Sequence, residues 1–178
     1  MSTSELIADG SVHRNLEFKA RWSEPRDVAS VVEQLGAQYV SSLLQVDTYF
    51  QVPTGRLKIR QTAGMDAELI SYDRAEVTTG RWSAFRIASI QDAASVEAVL
   101  TAALGACRVV EKQRSLFLWN GCRIHVDMVK NLGLFIEFEV LSKGDVPDDR
   151  RRMSQLLLAF SLSEDDEILA SYVDLLGL

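Results

Sequence analysis

Apolar and polar residues alternate along eight stretches of the chain, as they do in β-strands that bury one face. In "NLEFKA", for example, Leu16 and Phe18 alternate with Glu17 and Lys19. Turn sequences such as "VPTG", "TTGRWS" and "WNG" join most of the stretches by short links, so the strands are expected to pair antiparallel. The predicted strands cover residues 13–22, 40–51, 56–62, 67–75, 83–88, 107–119, 122–129 and 133–141.

Four other stretches repeat apolar residues with the period of an α-helix. Ser23 is the expected N-cap of the first helix, and the second runs from Asp92 to Gly105. The apolar face of the second helix is expected to comprise Val96, Val99, Leu100 and Leu104. The predicted helices cover about 23–34, 92–105, 148–160 and 163–176.

The order of these elements predicts one α+β domain over residues 1–178. No linker or low-complexity segment divides the chain. The sequences "QLGAQYV" and "ALGACRV" both lead from the end of a predicted helix into a strand. This repetition is consistent with two similar halves, although two matches do not prove a duplication.

Composition narrows the functional classes. Of 178 residues 47% are hydrophobic and 25% charged, and the formal net charge is −6. An acidic chain is unsuited to generic nucleic-acid binding, and no apolar run approaches the roughly 20 residues that cross a bilayer. Two cysteines without metal-ligand spacing, and a start that lacks a basic and apolar leader, predict a cytoplasmic protein.

The charged pairs on three of the predicted strands carry one sign each. Lys58 and Arg60 share one face of their strand, as do Lys112 and Arg114, whereas the face of 133–141 is acidic, with Glu137 and Glu139. One interpretation is an ordinary sheet with one face in water. The other is a closed sheet whose charged face lines a lumen, since eight strands suffice to close a barrel around a small ligand.

A lumen lined by basic pairs needs an anion to compensate their repulsion. Carboxylates on the same surface suit a hard divalent cation such as Mg²⁺ or Mn²⁺. A polyphosphate bound with its metal would satisfy both groups at once. The chain has no glycine-rich phosphate loop, so side chains would have to hold the phosphates.

These residues make the chain resemble the CYTH family, the triphosphate tunnel metalloenzymes, and within it the class IV adenylyl cyclase branch. The ExExK signature of the family stands here as "NLEFK" at 15–19. Further matching segments, in order, are "DTYF", "LKIR", "YDR", "EKQRS", "IHVDMVKNLGLFIEFE" and "SYVDLLG". The resemblance implies a closed, mostly antiparallel eight-stranded β-barrel with flanking helices, which binds a triphosphate inside.

The resemblance also implies the site residues. The expected triphosphate ligands are Lys19, Lys58, Arg60, Arg74, Arg86, Lys112 and Arg114, of which Arg86 has the weakest motif support. The expected ligands of Mg²⁺ or Mn²⁺ are Glu17, Asp127, Glu137 and Glu139. Catalysis is expected to depend on Glu17, Lys19, Lys112 and Glu137. Asn15 replaces the first glutamate of the signature, which removes a charge from the expected metal site.

Three functions remain open at this point. A class IV adenylyl cyclase would convert ATP to cyclic AMP and pyrophosphate. A triphosphatase would hydrolyse thiamine triphosphate, tripolyphosphate or a nucleotide with the same phosphate ligands. A protein with a weakened metal site would bind a triphosphate without turnover. The sequence predicts neither nucleic-acid nor membrane partners and leaves a homodimer open.

Overall fold

Eight strands close into a single barrel in the computed structural model, which describes residues 10–22, 28–75, 81–105 and 108–177, with the backbone alone at 74 and 75. The strands are β1 (His13–Arg21), β2 (Gln38–Phe50), β3 (Arg56–Thr62), β4 (Ala67–Ala75), β5 (Arg81–Ile90), β6 (Arg108–Trp119), β7 (Cys122–Val129) and β8 (Gly133–Leu141). All eight predicted strands are present, and β5 is longer than predicted.

The strand order around the barrel is β1-β5-β4-β3-β2-β6-β7-β8, and every neighbouring pair is antiparallel. Each half of the chain contributes a strand, a helix and then three strands. The two strands that follow the helices, β2 and β6, pair with each other where the halves meet. The similarity suspected from "QLGAQYV" and "ALGACRV" therefore corresponds to equivalent places in the topology.

Three predicted helices are confirmed, as α1 (Val28–Leu35), α2 (Ala93–Leu104) and α3 (Val146–Phe160). The predicted cap at Ser23 lies outside the described residues. In α2 the Asp92 side chain accepts a hydrogen bond from the Ser95 amide, and Gly105 ends the helix, as predicted. Val99, however, is 66% exposed, because the apolar stripe of α2 that meets the barrel is narrower than its sequence suggests.

The fourth predicted helix is corrected by the structure. The segment forms a 3-10 turn (Glu164–Asp166), an extended stretch, and a short helix α4 (Tyr172–Leu175). Ser163 and Ser171 each form a capping box, so two helix starts interrupt the periodic apolar pattern. Between them the Ile168 amide donates to the carbonyl of Lys19, which ties the extended stretch to β1.

The main hydrophobic core lies outside the barrel, between its wall and the helices. Leu16, Phe18, Ile124 and Phe138 point outward and pack against α1 and α3, where Phe160 is 1% exposed. The opposite faces of the same strands carry the charged residues into the barrel, as the alternation predicts. None of the described helices is long and apolar enough to span a membrane.

Candidate triphosphate and metal site

The interior of the barrel is a cavity of about 980 Å³ lined by residues from all eight strands. The closed sheet places charged groups from distant parts of the chain on facing walls. Of the expected ligands, those lining the cavity are Glu17, Lys19, Lys58, Arg60, Lys112, Arg114, Glu137 and Glu139. Ser171 and Tyr172 of the C-terminal segment also line it.

Asp47 organises the cations of the first half. Its carboxylate accepts hydrogen bonds from Lys58 Nζ at 2.8 Å and from Arg60 Nε and Nη2 at 2.7 and 2.8 Å. Burial alone would raise the pKa of Asp47, but Arg60, Lys58 and Lys112 outweigh it and hold that pKa well below its usual value. Asp47 is not among the ligands expected from the sequence, and the structure makes it the internal counter-ion of the basic cluster.

The two lysines of this cluster are held far from water. Burial, reinforced by the repulsion of Arg60, lowers the pKa of Lys58 to about 7. Lys112 lies between two aspartates, with Nζ at 3.7 Å from Asp47 and 3.9 Å from Asp127, and burial lowers its pKa too. Both side chains would gain a stronger partner from an anion in the cavity.

Arg114 forms the equivalent pair in the second half. Its guanidinium binds both oxygens of Asp127, at 2.7 and 2.5 Å, and one oxygen of Glu137 at 2.5 Å. Tyr172 donates a further hydrogen bond to Asp127 at 3.0 Å. Asp127 is 0% exposed and does not line the cavity, so its expected role as a metal ligand is corrected to that of a counter-ion for Arg114.

The C-terminal segment lies against the basic end of the cavity. Lys19 donates a hydrogen bond to the Ala170 carbonyl, and its ammonium lies 4.7 Å from the centre of the Tyr172 ring. Arg81 donates to the Ile168 carbonyl at 2.9 Å. Arg56 anchors the segment from outside by binding both carboxylate oxygens of Asp174 at 2.8 Å.

His125, Glu137 and Glu139 form the candidate metal site. Their ligand atoms all lie within 4.8 Å of one another. His125 is 5% exposed, and neither ring nitrogen has a hydrogen-bond partner among the described residues. Burial, with the repulsion of Arg114, lowers the pKa of His125 to about 4, so the ring is neutral at pH 7 and can donate a lone pair.

Both glutamates of this cluster are ionised at neutral pH. Burial would raise the pKa of Glu137, but Arg114 and Lys19 hold it well below its usual value. His125 and Arg123 similarly overcome the burial of Glu139 and lower its pKa to about 2. Two carboxylates, together with an imidazole whose ring nitrogens have no hydrogen-bond partner among the described residues, fit a divalent cation. The imidazole makes Mn²⁺ a better match than Mg²⁺.

Glu17 and Asn15 lie on the neighbouring strand, β1, and both face the cavity. Glu17 on β1 stands directly opposite Glu139 on β8 and Arg81 on β5. It faces the cavity but does not belong to the three-residue cluster, so its role as a metal ligand stays a prediction. Asn15 is buried at the next inward position, and its side-chain oxygen has no hydrogen-bond partner among the described residues.

Two expected phosphate ligands are not part of the described cavity. Arg86 lies on the outer face of β5, where it donates to the Gly10 carbonyl at 2.7 Å, so this expectation is corrected. Both faces of β5 carry large apolar side chains, and its inward residues have odd numbers, beginning at Arg81 and Ser83. Arg74 pairs with Ser83 in the sheet, but its side chain lies outside the described part of the structure.

Comparison with known protein families identifies the family to which the chain belongs. The sequence profile of the CYTH domain matches residues 13–172. The chain belongs to the CYTH domain family. None of the curated proteins compared with the chain matches it.

Solved structures share the CYTH fold along nearly the whole chain. A protein from Pyrococcus horikoshii superposes with a TM-score of 0.81 at 20% identity, over 90% of this chain and 98% of that one. A "putative adenylate cyclase" from Vibrio parahaemolyticus gives 0.73 at 20% identity, over 92% and 98%. HpAC1 from Hippeastrum, a "putative adenylyl cyclase" described as having a dominant triphosphatase activity, gives 0.62 at 12% identity, over 93% and 95%.

Sequence reasoning missed three residues of this CYTH site. His125 is not among the ligands expected from the sequence, although it shares its strand face with Arg123 and Asp127. Arg81 fell in a predicted turn, and its inward position appears only because β5 begins earlier than predicted. Asp47 and Arg60 are paired by the register of β2 against β3. The segments "DTYF" and "LKIR", which contain these residues, do not show that register.

Proposed function

We propose that this CYTH protein is a metal-dependent enzyme that binds a nucleoside triphosphate inside its barrel and converts ATP to cyclic AMP and pyrophosphate. The observation that carries the proposal is the juxtaposition of two clusters in one cavity. The first cluster consists of buried cations that include Lys112 and Arg114. The second consists of His125 and two glutamates and lies beside the first. Glu137 contacts Arg114 directly, so the clusters share a boundary.

The cations are suited to the β- and γ-phosphates. Five of them, from three strands, face the cavity, and among the described residues Asp47, Asp127 and Glu137 pair with members of this group; the five are Lys19, Lys58, Arg60, Lys112 and Arg114. The excess positive charge matches a polyanion, and fixed arginines can bind phosphate oxygens in pairs. In the reaction these side chains would stabilise the charge that develops on departing pyrophosphate.

The second cluster supplies the metal. A divalent ion held by His125, Glu137 and Glu139 would lower the pKa of the attacking 3′-hydroxyl and polarise the α-phosphate. The protein's own contribution is to keep both glutamates ionised and His125 neutral at pH 7. It would also hold the ribose and the phosphates in line, which reduces the entropy of reaching the transition state.

The order of the clusters along the strands supports attack at the α-phosphorus. On β6 the cavity residues run Lys112, Arg114, Leu116 and Leu118, and His125 stands opposite Leu116. The C-terminal segment lies at the Lys112 end, where Tyr172 is 5.4 Å from the Lys112 ammonium. If the γ-phosphate lies at that end, the metal cluster lies beside the α-phosphate, the position a cyclase requires.

A triphosphatase is the second candidate. The same cations would hold an inorganic or organic triphosphate for attack by water on the terminal phosphorus. The similarity to HpAC1, a "putative adenylyl cyclase" described as having a dominant triphosphatase activity, favours this alternative. The phosphate ligands alone do not distinguish the two reactions, since both use them on the same groups.

Product analysis separates the candidates. The protein is incubated with ATP and Mn²⁺ or Mg²⁺, and separately with tripolyphosphate, and every product is identified by chromatography. Cyclic AMP with pyrophosphate is the expected result, and orthophosphate without cyclic AMP would indicate the triphosphatase. Binding without any product would contradict an enzyme and indicate a triphosphate-binding protein.

An exposed ion pair provides matched controls for the site variants. Lys130 and Glu111 bind each other at 2.7 Å on the outer surface, with side chains 61% and 49% exposed. Lys112→Met and Glu137→Gln should lower the rate of product formation by about 10² or more, whereas Lys130→Met and Glu111→Gln should leave it unchanged. An equal loss of product formation in the site variants and the control variants would show that the activity does not depend on the barrel interior.

A further inference from the structure

Tyr172 of α4 contacts three groups of the cavity wall. Its ring centre lies 4.7 Å from the ammonium of Lys19 and 5.4 Å from the ammonium of Lys112. Its hydroxyl donates a hydrogen bond of 3.0 Å to Asp127, and the two oxygens of that carboxylate bind Arg114. One aromatic side chain therefore contacts two cations of the basic cluster directly and a third through its counter-ion.

The ring of Tyr172 is held in place from several sides. Tyr172 is 5% exposed, and its ring packs edge-to-face against Phe135 with ring centres 5.0 Å apart. The helix α4 starts with a capping box between Ser171 and Asp174, and Arg56 binds both oxygens of the Asp174 carboxylate. Because these contacts fix the ring before a ligand arrives, the cations that lie against it are ordered in advance, which reduces the entropy cost of binding.

An aromatic ring differs from a carboxylate as a partner for a cation. Two aspartates bind the arginines of the basic cluster and neutralise positive charge as they orient them. The face of an aromatic ring attracts an ammonium through its quadrupole but carries no net charge. A tyrosine can therefore orient lysines inside the barrel and leave their positive charge for a polyanion.

We propose that Tyr172 is a positioning residue of the triphosphate site. Its ring orients the ammonium groups of Lys19 and Lys112 toward the phosphates. Its hydroxyl holds Asp127, which in turn orients Arg114. This role rests on the proposed function, because oriented cations act on the reaction only when a triphosphate occupies the barrel.

Stepwise fluorination of the ring tests its electrostatic role. The full chain is prepared with phenylalanine, trifluorophenylalanine or pentafluorophenylalanine at position 172, because fluorine withdraws electron density from the ring face and changes the shape of the ring little. Affinity for tripolyphosphate, measured by titration calorimetry in EDTA at constant pH, should fall along the series by about tenfold in total. The same series at Tyr39, which packs against Phe117 on the outer surface, should leave the affinity unchanged.

Two lysine variants show through which cation the ring acts. Lys112→Met removes one of the two ammonium groups beside Tyr172, so the loss of affinity along the series should become smaller in this background. Lys58 lies 5.2 Å from the ring centre of Tyr49 and 5.6 Å from that of Tyr72. In the matched variant Lys58→Met the full loss should persist. A loss of the same size in both backgrounds would contradict action through Lys112.

The hydroxyl is tested separately by Tyr172→Phe, which keeps the ring. This variant should bind tripolyphosphate a few-fold more weakly than wild type, because Asp127 loses one of its donors. The loss should be smaller in an Asp127→Asn background, where the partner of the hydroxyl carries no charge. An equal loss in both backgrounds would contradict a role of the hydroxyl through Asp127.

The remaining outcomes separate this role from the proposed function. Equal affinities along the fluorinated series, while wild type binds tripolyphosphate, would overturn the positioning role and leave the triphosphate site intact. An equal decline along the series at Tyr39 would show a general effect of fluorination and would overturn the positioning role as well. Failure of wild type to bind tripolyphosphate would overturn the proposed function itself.

Discussion

The two halves of the barrel contain the same ion pair with its polarity reversed. In the first half Asp47 on β2 stands opposite Arg60 on β3. In the second half the equivalent strands place Arg114 on β6 opposite Asp127 on β7. Since β2 and β6 are neighbours, the charges around this wall alternate from strand to strand, positive on β3, negative on β2, positive on β6 and negative on β7.

The alternation explains how a buried basic wall is stable before any ligand arrives. Opposite charges on adjacent strands stabilise a sheet, whereas like charges destabilise it. The rule breaks down at the join of β8 and β1, where Glu17 stands opposite Glu139. The wall formed by β3, β2, β6 and β7 is therefore neutralised in part by its own aspartates, which position the cations. The wall at β8 and β1 retains carboxylates that an added cation would stabilise.

Removing the first counter-ion should have the largest effect on stability. Asp47→Asn leaves Lys58, Arg60 and Lys112 without their shared carboxylate, and breaking a buried pair in this way costs about 3–5 kcal/mol of unfolding free energy. Asp127→Asn should cost less, because Arg114 retains Glu137. Denaturant unfolding of both variants measures the difference.

Tripolyphosphate should restore more stability to Asp47→Asn than to wild type, since phosphate oxygens would replace the lost carboxylate. A larger loss in Asp127→Asn, or no extra rescue of Asp47→Asn, would contradict the assigned roles of the two aspartates.

Glu137→Gln should impair turnover without impairing triphosphate binding. We expect a decrease in kcat of about 10² or more, because the variant weakens the metal site that acts on the reacting groups. Triphosphate binding in EDTA should persist, since Arg114 remains paired with Asp127. Comparing turnover with calorimetric affinity makes the distinction, and parallel loss of both quantities would contradict it.

The affinity for a triphosphate should depend on pH through the ionisation of Lys58. With a pKa of about 7, its ammonium is charged below pH 7 and neutral above it. A triphosphate prefers the charged form, so this group should weaken binding by up to about tenfold for each pH unit above 7. Lys58→Arg should abolish that component, because an arginine stays charged. An unchanged pH profile in the variant would exclude Lys58 as its source.

The smallest expected effect concerns the choice of metal. His125→Asn removes the one nitrogen ligand of the cluster and leaves both glutamates. Affinity for Mn²⁺ should fall by a few-fold, and affinity for Mg²⁺ by less, because imidazole contributes more to transition-metal ions. Competition between the two ions, followed by Mn²⁺ electron paramagnetic resonance, measures the change. A greater loss for Mg²⁺ would contradict the assigned ligand.

Local patterns predicted most of the barrel because apolar and polar residues alternate along most of its strands. The inward positions of Lys58, Arg60, Lys112 and Arg114 follow from that alternation alone. Arg86 was misplaced because Trp82 and Phe85 make both faces of β5 apolar, so hydrophobicity does not indicate which face is inward.

Roles that depend on contacts between strands were not predictable in the same way. Asp127 lies on the predicted face, but the register against β6 sets it opposite Arg114 and removes it from the metal cluster. The same register, continued to β8, brings His125 beside Glu137. The C-terminal segment departs from the predicted helix because Lys19 and Arg81 bind its carbonyls, and those partners lie far away in sequence.

A crystal structure with a non-hydrolysable ATP analogue and Mn²⁺ would test the central claim most directly. Anomalous scattering should locate Mn²⁺ among His125, Glu137 and Glu139. The phosphates should contact Lys58, Arg60, Lys112 and Arg114, with the adenine toward Leu116. An analogue bound outside the barrel, or Mn²⁺ remote from this cluster, would contradict the account.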